Sequence, residues 1–96
     1  MRPGQGARVV IGDDSEHVRV ALKLLLADGG LELVGAAADA RTLVDVATAV
    51  RPDLLVTEVR LPPRCTDDGL RAALALRAAD PDLRVLLLAH EVHRCY

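Results

Sequence analysis

Aromatic residues are almost missing from this chain: Tyr96 is the only one, and Phe and Trp are absent. Any core must therefore be aliphatic, built from Ala, Leu and Val. Lysine is nearly absent as well, since Lys23 stands alone among 12 basic residues. That imbalance looks like coding from GC-rich DNA and carries no mechanistic weight. No apolar run approaches the roughly 20 residues that span a bilayer, and Met1 to Ala7 lacks the apolar stretch of a signal peptide. A cytoplasmic location with no membrane partner is expected. Cysteine is scarce too: Cys65 and Cys95 lie in unlike contexts without Cys-x-x-Cys spacing, so two free thiols are expected rather than a disulfide or a zinc site. The net charge of −2, with both signs interspersed, argues against direct nucleic-acid binding by this segment.

What is present is enough for one domain. With 51% apolar residues over 96 positions, the chain can bury a core without a disulfide or a structural metal. Residues 1–7, rich in Gly and Pro, read as a flexible N-terminus, and 8–96 as the domain. Ala7 to Gly12 predicts a strand, because Val9, Val10 and Ile11 are consecutive β-branched residues. Asp14 or Ser15 caps a helix from Glu16 to Asp28, with Val18, Ala21, Leu22 and Leu25 inward and Gly29-Gly30 as its stop. Leu31 to Ala37 is a second strand. Asp39 then caps a helix whose inward face is Leu43, Val46, Ala47 and Val50, and Arg51-Pro52-Asp53 breaks it. Leu54 to Thr57 is a third strand closed by Glu58, and the following loop carries Leu61-Pro62-Pro63. Asp67 or Asp68 opens a helix to Ala79 with Leu70, Ala73, Leu74 and Leu76 inward, and Arg84 to Leu88 is a fourth strand. Glu91 to Tyr96 has the pattern of an opening helix.

Strands alternating with helices require a parallel sheet with right-handed crossovers. In such sheets ligands bind outside the carboxyl ends of the strands, which selects Asp13 and Asp14 after the first strand, Glu58 after the third, and Ala89-His90 after the fourth. Two unit charges 4 Å apart repel by about 4 kcal/mol at an effective dielectric near 20, and a cation relieves this. Oxygen ligands with open positions suit Mg²⁺. The plainer alternative is that Asp14 caps a helix while Asp13 and Glu58 are solvated at strand ends.

Taken in order, Val9-Val10-Ile11-Gly12-Asp13-Asp14, Arg51-Pro52-Asp53, Leu54-Leu55-Val56-Thr57 and Arg60-Leu61-Pro62-Pro63 resemble the receiver domain of two-component response regulators. Thr66-Asp67-Asp68-Gly69-Leu70 is especially similar to receivers of regulators with a C-terminal helix-turn-helix of the LuxR type. The resemblance implies a flavodoxin-like, doubly wound sheet of order 2-1-3-4, with four of the family's five strands present. It implies that Asp13 and Asp14 bind Mg²⁺, that Arg60 lends its backbone carbonyl to the metal, and that a sensor histidine kinase or other signalling protein is the partner. Glu58 falls at the phospho-acceptor position, where the family has aspartate. One extra methylene displaces its carboxylate by about a bond length into the space of the incoming phosphorus, while an outward carboxylate partly imitates a phosphorylated aspartate. Ala89 replaces the family's switching Ser or Thr and cannot donate a hydrogen bond. The family's fifth-strand lysine has no counterpart, since Lys23 is on the first helix.

These departures imply a degenerate, truncated, non-enzymatic receiver-like domain of a bacterial transcriptional regulator that phosphorylation does not switch. The alternatives are a Mg²⁺-binding receiver weakly phosphorylated at Glu58, a non-functional remnant, and a small metal-dependent phosphoester hydrolase. Without a fifth strand, the apolar fourth strand is an edge open to self-association. His90 and His93, with Glu91 and Cys95, form a weak alternative metal set, and His17 reads as a surface residue. Gly4-Gln5-Gly6 precedes a strand and so is no dinucleotide fingerprint.

Overall fold

A computed structural model describes residues 6–89. Seven elements alternate along it: β1 (Arg8–Gly12), α1 (Glu16–Asp28), β2 (Glu32–Ala37), α2 (Ala40–Val50), β3 (Leu54–Glu58), α3 (Asp68–Ala79) and β4 (Arg84–Leu88). Every strand pairing is parallel, in the order β2-β1-β3-β4, which is the flavodoxin-like arrangement expected. The readings placed on residues 1–5 and on His90 to Tyr96, including the helix at Glu91 and the histidine metal set, lie outside the described residues.

Local chemistry accounts for the boundaries. Ser15 is the cap of α1, its Oγ accepting from Val18 N at 3.3 Å, and Gly30 ends the turn with a φ of 79°. Asp39 caps α2 by accepting from Thr42 N at 2.8 Å. The Arg51-Pro52-Asp53 break ties three strand beginnings together. Asp53 accepts from Arg8 N at 2.8 Å through its side chain and from Arg84 N at 3.2 Å through its carbonyl.

The sheet has two unequal faces. Under α2 and α3, Val10, Leu43, Leu55, Leu61, Leu76 and Leu83 form the larger cluster. On the other face Val9, Ile11 and Val56 are buried, with Leu22 and Leu26 of α1 only partly covering them. No residue of α1 is buried, and Leu25, expected inward, is 69% exposed. The helix packs mainly on β2 and β1, which leaves Leu86 of β4 exposed as well. In α3 the buried residues are Asp68, Gly69, Ala72, Ala73 and Leu76, whereas Leu74, expected inward, is exposed. Close approach at Gly69 turns the small-residue face of this helix towards the sheet.

The cysteines also depart from expectation. Cys65 is disulfide-bonded and no free cysteine is found among the described residues. Disulfide pairing depends on Cα separation in space, which sequence context and spacing did not convey. The other cysteine, Cys95, lies outside the described residues.

Candidate functional site

At the carboxyl end of the sheet, Asp13, Asp14 and Glu58 converge. Each offers one carboxylate oxygen, and these atoms lie within 4.8 Å of one another. Central position in the sheet explains the convergence: β1 and β3 are neighbours, and Gly12 pairs with Thr57, so the residues that follow each emerge side by side. A Cβ on Gly12 would sit 2.6 Å from Thr57 Oγ1 and 2.8 Å from Leu43 Cδ2, so glycine allows β1 to leave the sheet at this point.

Asp13 is held on all sides. Its N–H donates to Ala37 O at 3.0 Å, its Oδ1 accepts from Ser15 N at 2.9 Å, and its carbonyl accepts from Arg19 Nη1 at 2.7 Å. Asp13 is 1% exposed, and its remaining carboxylate oxygen, Oδ2, is buried without a hydrogen-bond partner among the described residues. Leaving a buried acceptor unsatisfied costs ~1–3 kcal/mol, more for a charged group. A cation beside it would remove that cost.

Glu58 is 2% exposed and ends β3 opposite Leu88. Its carboxyl shares a hydrogen bond with Asp14. Burial first, then the charge of Asp13, then the hydrogen bond and charge of Asp14, push its pKa up to about 8. At neutral pH Glu58 therefore keeps its proton, and the trio carries fewer charges than carboxyl groups. An all-oxygen donor set with one buried, unsatisfied carboxylate oxygen fits a hard divalent cation such as Mg²⁺, which would take the place of that proton.

Two other residues named from sequence stand at the same end of the sheet without joining the carboxylates. Arg60 is exposed two residues beyond β3, and the role implied for it is through its backbone. Ala89 is exposed immediately after β4 and brings no side-chain donor. His17, likewise, is exposed on α1.

Sequence reasoning missed two participants. Arg19 lies one turn beyond the helix cap, at the spacing that lets its side chain reach back to the strand end, and it grips the Asp13 carbonyl. Gly69 packs so closely on the carbonyl of Glu58 that a Cβ there would overlap the oxygen. Its N–H donates to Val59 O at 2.8 Å. The start of α3 is thus seated directly on the backbone that carries Glu58.

Comparison with known proteins agrees with this geometry. The family model described as the response regulator receiver domain matches residues 9–94. The chain is 32% identical over 85 residues to a protein-glutamate methylesterase/protein-glutamine glutaminase of Haloarcula marismortui, covering 88% of this chain and 22% of that one. It is 38% identical over 66 residues to the transcriptional regulatory protein PdtaR of Mycobacterium tuberculosis, covering 69% of this chain and 31% of that protein. Among solved structures, a LuxR-family two-component response regulator from Aurantimonas sp. SI85-9A1 superposes with a TM-score of 0.78 at 27% identity, covering 94% of this chain and 61% of that one. The chain thus spans between a fifth and a third of the length of these two curated relatives.

Proposed function

Since the chain belongs to the response regulator receiver domain family, we propose that it is a degenerate receiver of a bacterial two-component transcriptional regulator, in which phosphorylation at Glu58 is not the switch. The observation that carries this reading is the state of Glu58, which is buried, hydrogen-bonded to Asp14 and pushed up to a pKa of about 8. A protonated carboxyl is a poor nucleophile towards a phosphoryl group. Ala89 supplies no hydroxyl to reward a phosphorylated state. The same neutrality argues against permanent imitation of a phosphorylated aspartate, which requires negative charge at that position.

Asp13, Asp14 and Glu58, with the Arg60 carbonyl, are the groups that would hold Mg²⁺. The ion would neutralise the charge gathered at this strand end. Asp13 is the best-placed ligand of the set: Ser15 N fixes one carboxylate oxygen, two hydrogen bonds hold its backbone, and the other carboxylate oxygen is left for a cation. In this reading the domain works in the cytoplasm through contacts with a histidine kinase or another signalling protein, and its own surface does not bind DNA. No described helix is long and apolar enough to cross a membrane.

The test is intact mass after incubation with Mg²⁺ and a small phosphodonor. The expected result is no adduct on the native chain. A stoichiometric phosphoryl adduct that Glu58→Gln abolishes would overturn the proposal and support the weakly phosphorylated receiver instead.

A further inference from the structure

Beside the acidic site, on the face covered by α2 and α3, lies an open groove of about 370 Å³. Its floor is apolar, from Ala40 and Val44 of α2, Pro63 of the β3–α3 loop and Ala72 of α3. Its rim carries three guanidinium groups: Arg41, Arg64 and Arg71. From this pairing of an apolar floor with an arginine rim, we propose that the groove docks a short acidic, amphipathic segment of a protein partner, an apolar side chain on the floor and carboxylates on the rim.

Charge complementarity selects this occupant. Two of the three arginines are partly neutralised: Arg64 Nε meets Asp68 at 3.1 Å, and Arg71 Nε meets Asp67 at 3.0 Å. Arg41 makes no hydrogen bond or ion pair among the described residues, so the rim holds one guanidinium more than its two aspartates balance. Asp68 is buried and already engaged by Arg64 and Thr66, which leaves it little capacity to neutralise anything further. Arg71 uses Nε on Asp67, and its two terminal nitrogens remain as donors for a fork-shaped contact with a carboxylate. A bare inorganic anion would leave the apolar floor unused. A nucleic acid would meet the acidic cluster nearby and a chain of net charge −2.

The groove is also placed to matter for signalling. Its α2 wall is tied to the loop by Ala40 N donating to Pro62 O at 2.9 Å. Its α3 wall begins at Asp68, and the next two residues, Gly69 and Leu70, both donate their N–H groups to the carbonyl of Val59, the residue after Glu58. A segment docked here would press on the loop that leaves the acidic site.

The probe is a short synthetic peptide of alternating Leu with Asp and Glu, titrated into the ¹⁵N-labelled 96-residue chain. The control is the same peptide with Lys at every acidic position, and a third arm uses a short DNA duplex. Saturable amide shifts at Ala40, Arg41, Val44 and Ala72 are expected with the acidic peptide alone, weakening as salt rises. Arg41→Glu should weaken binding by about five-fold or more. Arg41 is exposed and makes no hydrogen bond or ion pair among the described residues, so this substitution leaves the fold intact. Absence of shifts, shifts elsewhere, equal binding by the Lys peptide, unchanged affinity in Arg41→Glu, or tighter binding of the DNA at the same amides would each overturn the proposal.

Discussion

Replacing Glu58 with Gln isolates the proton that the acidic trio retains. In the folded chain without metal, Glu58 holds its proton up to about pH 8, whereas its ordinary value is 4.5. Between those values the folded state binds more protons than the unfolded state, so stability must fall as pH rises. The stabilising proton is fully in place below about 4.5 and is lost as pH passes through 8. At about 1.4 kcal/mol per pH unit, the full interval amounts to on the order of 5 kcal/mol. That is a large part of the ~5–15 kcal/mol that holds a domain folded. Gln is nearly isosteric, stays neutral at every pH, and can donate its amide hydrogen to Asp14. The assay is urea unfolding followed by far-ultraviolet circular dichroism, in EDTA, for both proteins from pH 5 to pH 9. Subtracting the two curves removes the titration of every other group. The expected difference is near zero at pH 5 and favours Glu58→Gln by several kcal/mol at pH 8 to 9. Under the proposed binding, Mg²⁺ would take the proton's place and should recover much of the native chain's loss at high pH. A difference that stays flat with pH would refute the argument, since Glu58 would then ionise freely in the folded state.

Three further outcomes follow from the packing. With Mg²⁺ bound at the trio as proposed, Asp13→Asn should abolish the resulting rise in melting temperature, while modestly stabilising the metal-free chain by removing one of the crowded charges; calorimetry with and without Mg²⁺ reads both effects. Gly69→Ala should cost about 2–3 kcal/mol in chemical unfolding, because the added methyl meets the Glu58 carbonyl and α3 has to shift outward. Leu86→Lys should lower any self-association seen in sedimentation velocity, since Leu86 is 53% exposed on β4, an edge of the described sheet, where a charge opposes pairing with another chain.

The strand and helix pattern was readable because its signals are local. Consecutive β-branched residues at Val9 to Ile11 mark a strand buried on both faces, and Ser15, Asp39 and Gly30 mark helix ends by hydrogen bonds within a few residues. The inward faces were less legible. Periodicity alone makes Leu25 and Leu74 look like core residues, yet how a helix is rotated depends on what it meets. Gly69 against the Glu58 carbonyl turns α3, and the lean of α1 towards β2 exposes Leu25. Long-range chemistry was less legible still: neither the pairing of Cys65 nor the grip of Arg19 on Asp13 has a pattern in the sequence that distinguishes it from a free thiol or a solvated arginine.

Glu58 shows how far the acidic site could be read from residue types alone. The sequence places three carboxyl groups at neighbouring strand ends, which is enough to expect mutual repulsion and a cation to relieve it. Length then leads to two opposite consequences. If the extra methylene of Glu58 reached outward, its carboxylate would be hydrated, charged and a partial imitation of a phosphorylated aspartate. Buried at 2% exposure and hydrogen-bonded to Asp14, it instead relieves the repulsion by keeping a proton. Burial decides between the two, because ionising the Glu58 carboxyl away from water and beside Asp13 costs more than keeping its proton. The protonated Glu58 therefore leaves the acidic trio partly self-neutralised at ordinary pH. A cation that binds there must displace a proton, so its affinity should rise with pH up to about 8.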